Sequence, residues 1–151
     1  MVLRTTFLVA LVVALAAGTG TRGRAQPARS SGNGFVIIVH PANRAASVDR
    51  AFLRDAYMRK LVTWGGGDTI RPVDLPRRLA VRDRFTRDVL KKTPAQLRSY
   101  WNRQIFTGTS VPPVERSSEA AVIAYVLANP GAIGYLPEGS DPRGAKVIRL
   151  R

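Results

Sequence analysis

The chain has no cysteine, a single histidine, and ten acidic residues against 24 basic ones. Without cysteine there is no disulfide to hold the fold, no thiolate nucleophile and no lipid-modified N-terminal tether, so the core must stand on packing alone. The lone His40 has neither a second histidine nor a cysteine to complete a zinc set, and no evident acid to orient it as a base. It follows an apolar run and reads as a strand-end residue making one hydrogen bond. No Gly-x-Ser-x-Gly elbow is present, and Ser47, Thr109 and Ser110 have no catalytic neighbours. Gly65-Gly66-Gly67 lacks the lysine and hydroxyl of a phosphate loop, which leaves a flexible turn. An enzyme is the least supported class, and no cofactor is implied.

Long apolar runs are scarce too. One stands at Phe7 to Ala17, 11 residues against the roughly 20 needed to cross a bilayer. It follows a basic start with Arg4 and precedes Gly23-Arg24-Ala25, the small-x-small pattern of a signal peptidase site. Residues 1–25 are therefore expected to be a secretory signal, and the product to be periplasmic or secreted with no transmembrane anchor after cleavage. Gln26 to Gly34 is a polar lead-in expected to be disordered, and residues 35–151 make one domain of ordinary size.

What the chain does have is positive charge. The formal net charge is +14, with 20 arginines and 4 lysines, and removing Arg4, Arg22 and Arg24 with the signal leaves +11. Such a field attracts oxyanions or an anionic surface. The arginines are spread along the chain and not interleaved with aromatics, so nucleic acid is not an expected partner.

Phe35-Val36-Ile37-Ile38-Val39 reads as a strand buried on both faces. Ser47 is a plausible N-cap for a helix carrying Phe52, Leu53, Ala56 and Tyr57 inward. Ile70 to Leu75 is a strand, and Leu79, Val81, Phe85 and Val89 set the face of a second helix closed by Lys91 and Lys92. Thr93-Pro94-Ala95-Gln96 is a capping box opening a third helix with Leu97, Tyr100, Trp101 and Ile105 inward. Ser118 caps a fourth, with Ala120, Ile123, Ala124 and Leu127 inward. Strands over Ala132 to Leu136 and Lys146 to Leu150 complete an α/β layer, a mixed sheet covered by helices. Trp64, Tyr100 and Trp101 are expected in the core.

Between Ile70 and Lys92 the chain turns from strand to helix, and the turn carries Arg77, Arg78 and Arg82. Cations at a helix start are unfavourable by about 0.3–1 kcal/mol each unless an anion compensates them. Arg77, Arg78 and Arg82, with the backbone N–H groups of Ala80 and Val81, are the candidate anion-binding residues. Asp74 beside them is expected to form a surface ion pair.

Three stretches together resemble phosphate ABC transporter substrate-binding proteins. These are the Phe35–Val39 strand, Leu53-Arg54-Asp55-Ala56-Tyr57-Met58-Arg59-Lys60 followed by Trp64, and Pro130-Gly131-Ala132-Ile133-Gly134-Tyr135. The resemblance covers roughly residues 35–150 and implies a single lobe of a type II periplasmic-binding-protein-like fold. It also implies phosphate or another oxyanion as solute and a transporter or envelope protein as partner. The family's gripping corner reads Arg-Pro-x-Gly-Ser-Gly-Thr, whereas here it is Leu75-Pro76-Arg77-Arg78-Leu79-Ala80-Val81. Leu75, Leu79 and Val81 have lost the clamp and both hydroxyl donors. Arg59 replaces a frequent glycine, so that helix is expected to end differently. A single lobe makes half a cleft, which favours weak oxyanion binding, with a periplasmic adaptor that has lost solute binding as the alternative.

Overall fold

The structure is a computed structural model that describes residues 34–151. The signal expected over residues 1–25, and all of the lead-in except Gly34, lie outside the described residues.

Among the described residues, six strands form one mixed sheet and four helices accompany it. In chain order they are β1 (Phe35–Val39), β2 (Ser47–Val48), α1 (Arg50–Tyr57), β3 (Arg71–Asp74), α2 (Ala80–Asp88), α3 (Pro94–Phe106), β4 (Val114–Glu115), α4 (Glu119–Ala128), β5 (Ala132–Pro137) and β6 (Lys146–Leu150). Across the sheet the order is β2-β6-β1-β5-β3-β4. β1 runs antiparallel to both neighbours, β5 and β6, while β2–β6, β5–β3 and β3–β4 are parallel. The centre of the sheet explains the β-branched run: Ile37, Ile38 and Val39 are fully buried. Pro72 is tolerated inside β3 because β4 pairs only from Val73 onward, so the missing N–H breaks no bond on that side. The expected fold class, a mixed sheet covered by helices, is the observed one.

The Gly131-Ala132-Ile133-Gly134-Tyr135 stretch has a packing reason at each distinctive position. A Cβ on Gly131 would fall 1.9 Å from the Thr69 carbonyl oxygen, and one on Gly134 would meet Val73, Val122 and Val126 at 3.1–3.3 Å. The first glycine lets the β3 approach pass, and the second lets α4 settle on β5. Trp64 Nε1 donates to the Gly131 carbonyl at 3.0 Å, which joins the glycine turn after α1 to the start of β5. The Tyr57 hydroxyl, buried at the end of α1, donates to Val73 O at 2.9 Å.

Several local expectations are corrected. Asp49, not Ser47, caps α1: its carboxylate accepts the Phe52 N–H at 2.6 Å, and Ser47 lies in β2. α1 ends through Arg59 at φ +59, the left-handed conformation a glycine adopts readily, at a conformational cost of about 1–2 kcal/mol. Arg59 recovers part of this by donating to Ile70 O at 3.2 Å. α2 stops at Asp88, before Lys91 and Lys92. The buried face of α4 is Val122, Ile123 and Val126, while Ala120, Ala124 and Leu127 face outward. Ile105, expected inward, is 54% exposed: α3 packs against α2 and buries Leu97 and Trp101 instead. The capping box at Thr93 has both of its hydrogen bonds, and Ser118 accepts the Ala121 N–H at the start of α4.

Candidate functional site

β3 ends at Asp74, and Leu75-Pro76 carries the chain off the sheet into the turn that opens α2. The Leu79 N–H bonds to Pro76 O at 3.0 Å, which closes the turn, and Leu79 is the N-cap of α2. Its side chain has no acceptor. Asp49, Thr93 and Ser118 cap α1, α3 and α4, so among the described helices α2 alone starts without a side-chain cap. The N–H groups of Arg77, Arg78, Ala80 and Val81 therefore have no acceptor among the described residues. A helix start in this condition presents unsatisfied donors and the positive end of the dipole.

The three arginines divide. Arg77 and Arg78 are exposed and reach the same β4–α4 connection: Arg77 Nε lies 3.6 Å from a Glu115 carboxylate oxygen, and Arg78 donates to Ser117 O at 2.9 Å. Arg82 turns inward. Its side chain is only 12% exposed, it pairs with the Asp74 carboxylate, and it donates to Leu75 O at 2.8 Å. The structure thus brings Arg77, Arg78, Ala80 and Val81 to one exposed corner and puts the Arg82 guanidinium beneath it. Leu75 is fully buried and Leu79 and Val81 are half-buried, packed against the core.

Asp74 is not a surface residue: it is 3% exposed. Besides Arg82 it accepts the Tyr135 hydroxyl at 2.5 Å, and Phe85 stacks flat on the Tyr135 ring with centroids 3.9 Å apart. Burial pushes the Asp74 carboxyl up to about 6, with Arg82 and the Tyr135 hydrogen bond pulling the other way. Burial raises the Tyr135 and Tyr57 hydroxyls as well. Sequence reasoning misses this buried Asp74–Arg82–Tyr135 cluster. The signal that could reveal it is an acid at the last position of a strand whose neighbours are all apolar, a place where a carboxylate survives only with a partner.

Chemically the corner is a set of donors. It offers amide N–H groups and two guanidinium groups, suited to the oxygens of a tetrahedral anion. Glu115 and Asp83, which pairs with Arg87 at 2.8 Å, lie close by and lower the positive field. His40 sits at the end of β1, where its Nδ1 accepts the Ala42 N–H at 3.1 Å. Among the described residues no group of three or more His, Cys, Asp or Glu side chains could hold a metal ion, and no helix is long and apolar enough to cross a membrane.

This arrangement is one α/β layer, a mixed six-stranded sheet in which the carboxyl end of β3 leads to the N-terminus of α2. No protein-family profile and no curated protein matches the chain. Among solved structures it is similar to an ABC-type phosphate transport receptor from Vibrio cholerae, with a TM-score of 0.60 and 20% identity over 78% of this chain and 46% of the receptor. It is also similar to PstS from Borrelia burgdorferi, with a TM-score of 0.60 and 12% identity over 78% of this chain and 47% of that protein. The chain spans less than half the length of these proteins. At such identities the likeness is one of fold.

Proposed function

We propose that this protein is an exported, single-lobe relative of phosphate ABC transporter receptors that binds phosphate or a related oxyanion weakly at the start of α2. The observation that carries this reading is the uncapped N-terminus of α2, with its free N–H groups and the exposed Arg77 and Arg78 beside them. The similar proteins from Vibrio cholerae and Borrelia burgdorferi are, by name, a phosphate transport receptor and a PstS, which supports an oxyanion over other ligands. Ala80 and Val81 contribute backbone donors, Arg77 and Arg78 contribute charge, and Arg82 acts from below by holding the helix start to β3. The reading includes a periplasmic or secreted location, a transporter or envelope protein as partner, and no catalysis.

An anion gripped from one side keeps much of its hydration, so affinity near the millimolar level, about −4 kcal/mol, is expected. Titration calorimetry of the protein with phosphate and with sulfate tests this. The expected result is heat and a thermal shift that both vanish in the double variant Arg77→Glu, Arg78→Glu. No heat at tens of millimolar anion sinks the proposal.

A second reading rests on Leu75, Leu79 and Val81, which put aliphatic groups where oxyanion donors would be useful. In it the lobe has lost solute binding and serves as an envelope adaptor. Measurable anion affinity together with no stable partner recovered from envelope extract argues against it.

A further inference from the structure

We propose that Asp74 gates the charge of the corner where α2 begins, so that the corner holds an oxyanion more tightly in acid than at neutral pH. Ionised, the carboxylate neutralises the Arg82 guanidinium. Protonated, it leaves that guanidinium as a third cation beneath Arg77 and Arg78. The inference rests on the anion reading above and adds the regulation of that same site.

Among the described residues Asp74 is the one buried acid, and it stands at the last position of β3, where the chain leaves the sheet for the corner. Each element packed around it presents a group. From α2, Arg82 pairs with the carboxylate. From β5, the Tyr135 hydroxyl donates to it at 2.5 Å. From α1, the Tyr57 hydroxyl is raised by burial and then by the charge of Asp74. From β4, Glu115 is its register partner and turns its own carboxylate to Arg77, while the next residue, Arg116, lays its guanidinium over the Tyr125 ring. One acid and one cation thus share an enclosure of apolar and phenolic groups, where a change of charge is felt over a longer range than in water.

The net charge of this pair is set by one proton. An arginine keeps its charge at any physiological pH. Burial lifts the Tyr57 and Tyr135 hydroxyls well above their ordinary range, and it pushes the Asp74 carboxyl up to about 6, with Arg82 pulling the other way. Arg82 stays in position in both states, because its hydrogen bond to Leu75 O at 2.8 Å does not involve Asp74. It is the third residue of α2, so the uncompensated charge appears in the same turn as the Ala80 and Val81 N–H groups. An anion there favours the protonated carboxyl and, by linkage, takes up a proton as it binds. His40, the other side chain of a type that titrates in this range, lies two strands away and level with the start of β5, whereas β3 leads to the corner toward the end of β5.

Titration calorimetry of the full chain with sulfate at pH 5, 6 and 8 and constant ionic strength is the test. Sulfate is the probe because it stays a dianion throughout, whereas phosphate changes charge. Binding about three- to tenfold tighter at pH 5 than at pH 8 is expected, the size of one unit charge acting over about 10 Å at an effective dielectric of about 20 and partly screened by salt. Heats at pH 6 in buffers of different ionisation enthalpy should show uptake of a fraction of one proton per sulfate. Asp74→Asn, whose amide oxygen can still accept from Arg82 and Tyr135, should bind with the acid affinity at every pH, and His40→Gln should keep the parent's pH dependence. If Asp74→Asn fails to fold, the proton uptake of the parent and of His40→Gln decides. Equal affinity at pH 5 and 8, tighter binding at pH 8, or a pH dependence that survives undiminished in Asp74→Asn or is lost in His40→Gln overturns the inference and leaves the anion site standing. No sulfate heat at any of the three pH values overturns both.

Discussion

Arg82 and the pair Arg77–Arg78 stand within six residues of one another, and the structure sets them to opposite tasks. Arg82 falls one helical turn inside α2, on the face that carries Phe85 and Thr86 to the core, and it meets the buried Asp74 there. Arg77 and Arg78 precede the helix, where nothing directs them inward, and their contacts with Glu115 and Ser117 lie in solvent. A buried pair constrains the fold strongly once formed, because removing either partner strands the other. An exposed pair contributes little, a median of about 0–1 kcal/mol. The same residue type is thus a structural strut on one side of the corner and free to engage a ligand on the other.

The largest effect expected from this contrast is on the inner side. Asp74→Ala leaves the Arg82 guanidinium buried without a counter-charge and the Tyr135 hydroxyl without its acceptor. A loss of about 3–5 kcal/mol in urea unfolding is expected, enough to leave a domain of this size marginal. A change below 1 kcal/mol would place Asp74 in contact with water and erase the distinction between the two sides.

Next in size is a dependence on pH. Asp74 titrates at about 6 in the folded chain against an ordinary 3.8, so between those values the folded state keeps a proton that the unfolded chain has lost. Its stabilising contribution is fully present below pH 3.8 and disappears as pH rises through 6. The span is worth about 3 kcal/mol at 1.36 kcal/mol per unit. Unfolding free energy should fall with rising pH across this window, and Asp74→Asn, which cannot titrate, should flatten that slope.

How far the sequence reveals this corner follows from what sequence patterns encode. The strand-turn-helix path and the candidate residues Arg77, Arg78, Ala80, Val81 and Arg82 are visible because Pro76 breaks an apolar run and Leu79, Val81, Phe85 and Val89 repeat with a helical step. The capping box at Thr93 is equally plain, since its hydrogen bonds are local. Asp74–Arg82–Tyr135 is hidden because it joins residues 61 positions apart, and a polar residue in a sequence does not declare its depth. The packed face of α4 is hidden for another reason. Nine of its ten residues are alanine, valine, isoleucine, leucine or tyrosine, so apolar periodicity cannot say which side packs until β5 and its Gly134 fix it.

A third substitution sharpens the comparison by acting at the boundary between the two sides. Leu79→Asp supplies the cap that α2 lacks, its carboxylate taking the first-turn N–H groups that an anion would otherwise use. Capping contributes about 1 kcal/mol, and losing a half-buried leucine offsets most of it, so thermal stability should stay within about 1 kcal/mol of the parent. Phosphate heat should nevertheless disappear. Retention of binding would move the site away from α2.

The smallest effect on folding belongs to the substitution with the largest effect on binding. The double variant Arg77→Glu, Arg78→Glu gives up a 3.6 Å exposed ion pair and one exposed hydrogen bond to a carbonyl. The new glutamates stand at a helix start, where negative charge is favoured by about 0.3–1 kcal/mol each, while Glu115 now repels one of them. These effects nearly cancel, and unfolding free energy should shift by no more than about 0.5 kcal/mol. A drop of about 2 kcal/mol or more would mean that Arg77 and Arg78 hold the β4–α4 connection in place, and the absence of anion binding in that variant would then report a disrupted corner instead of a missing ligand contact.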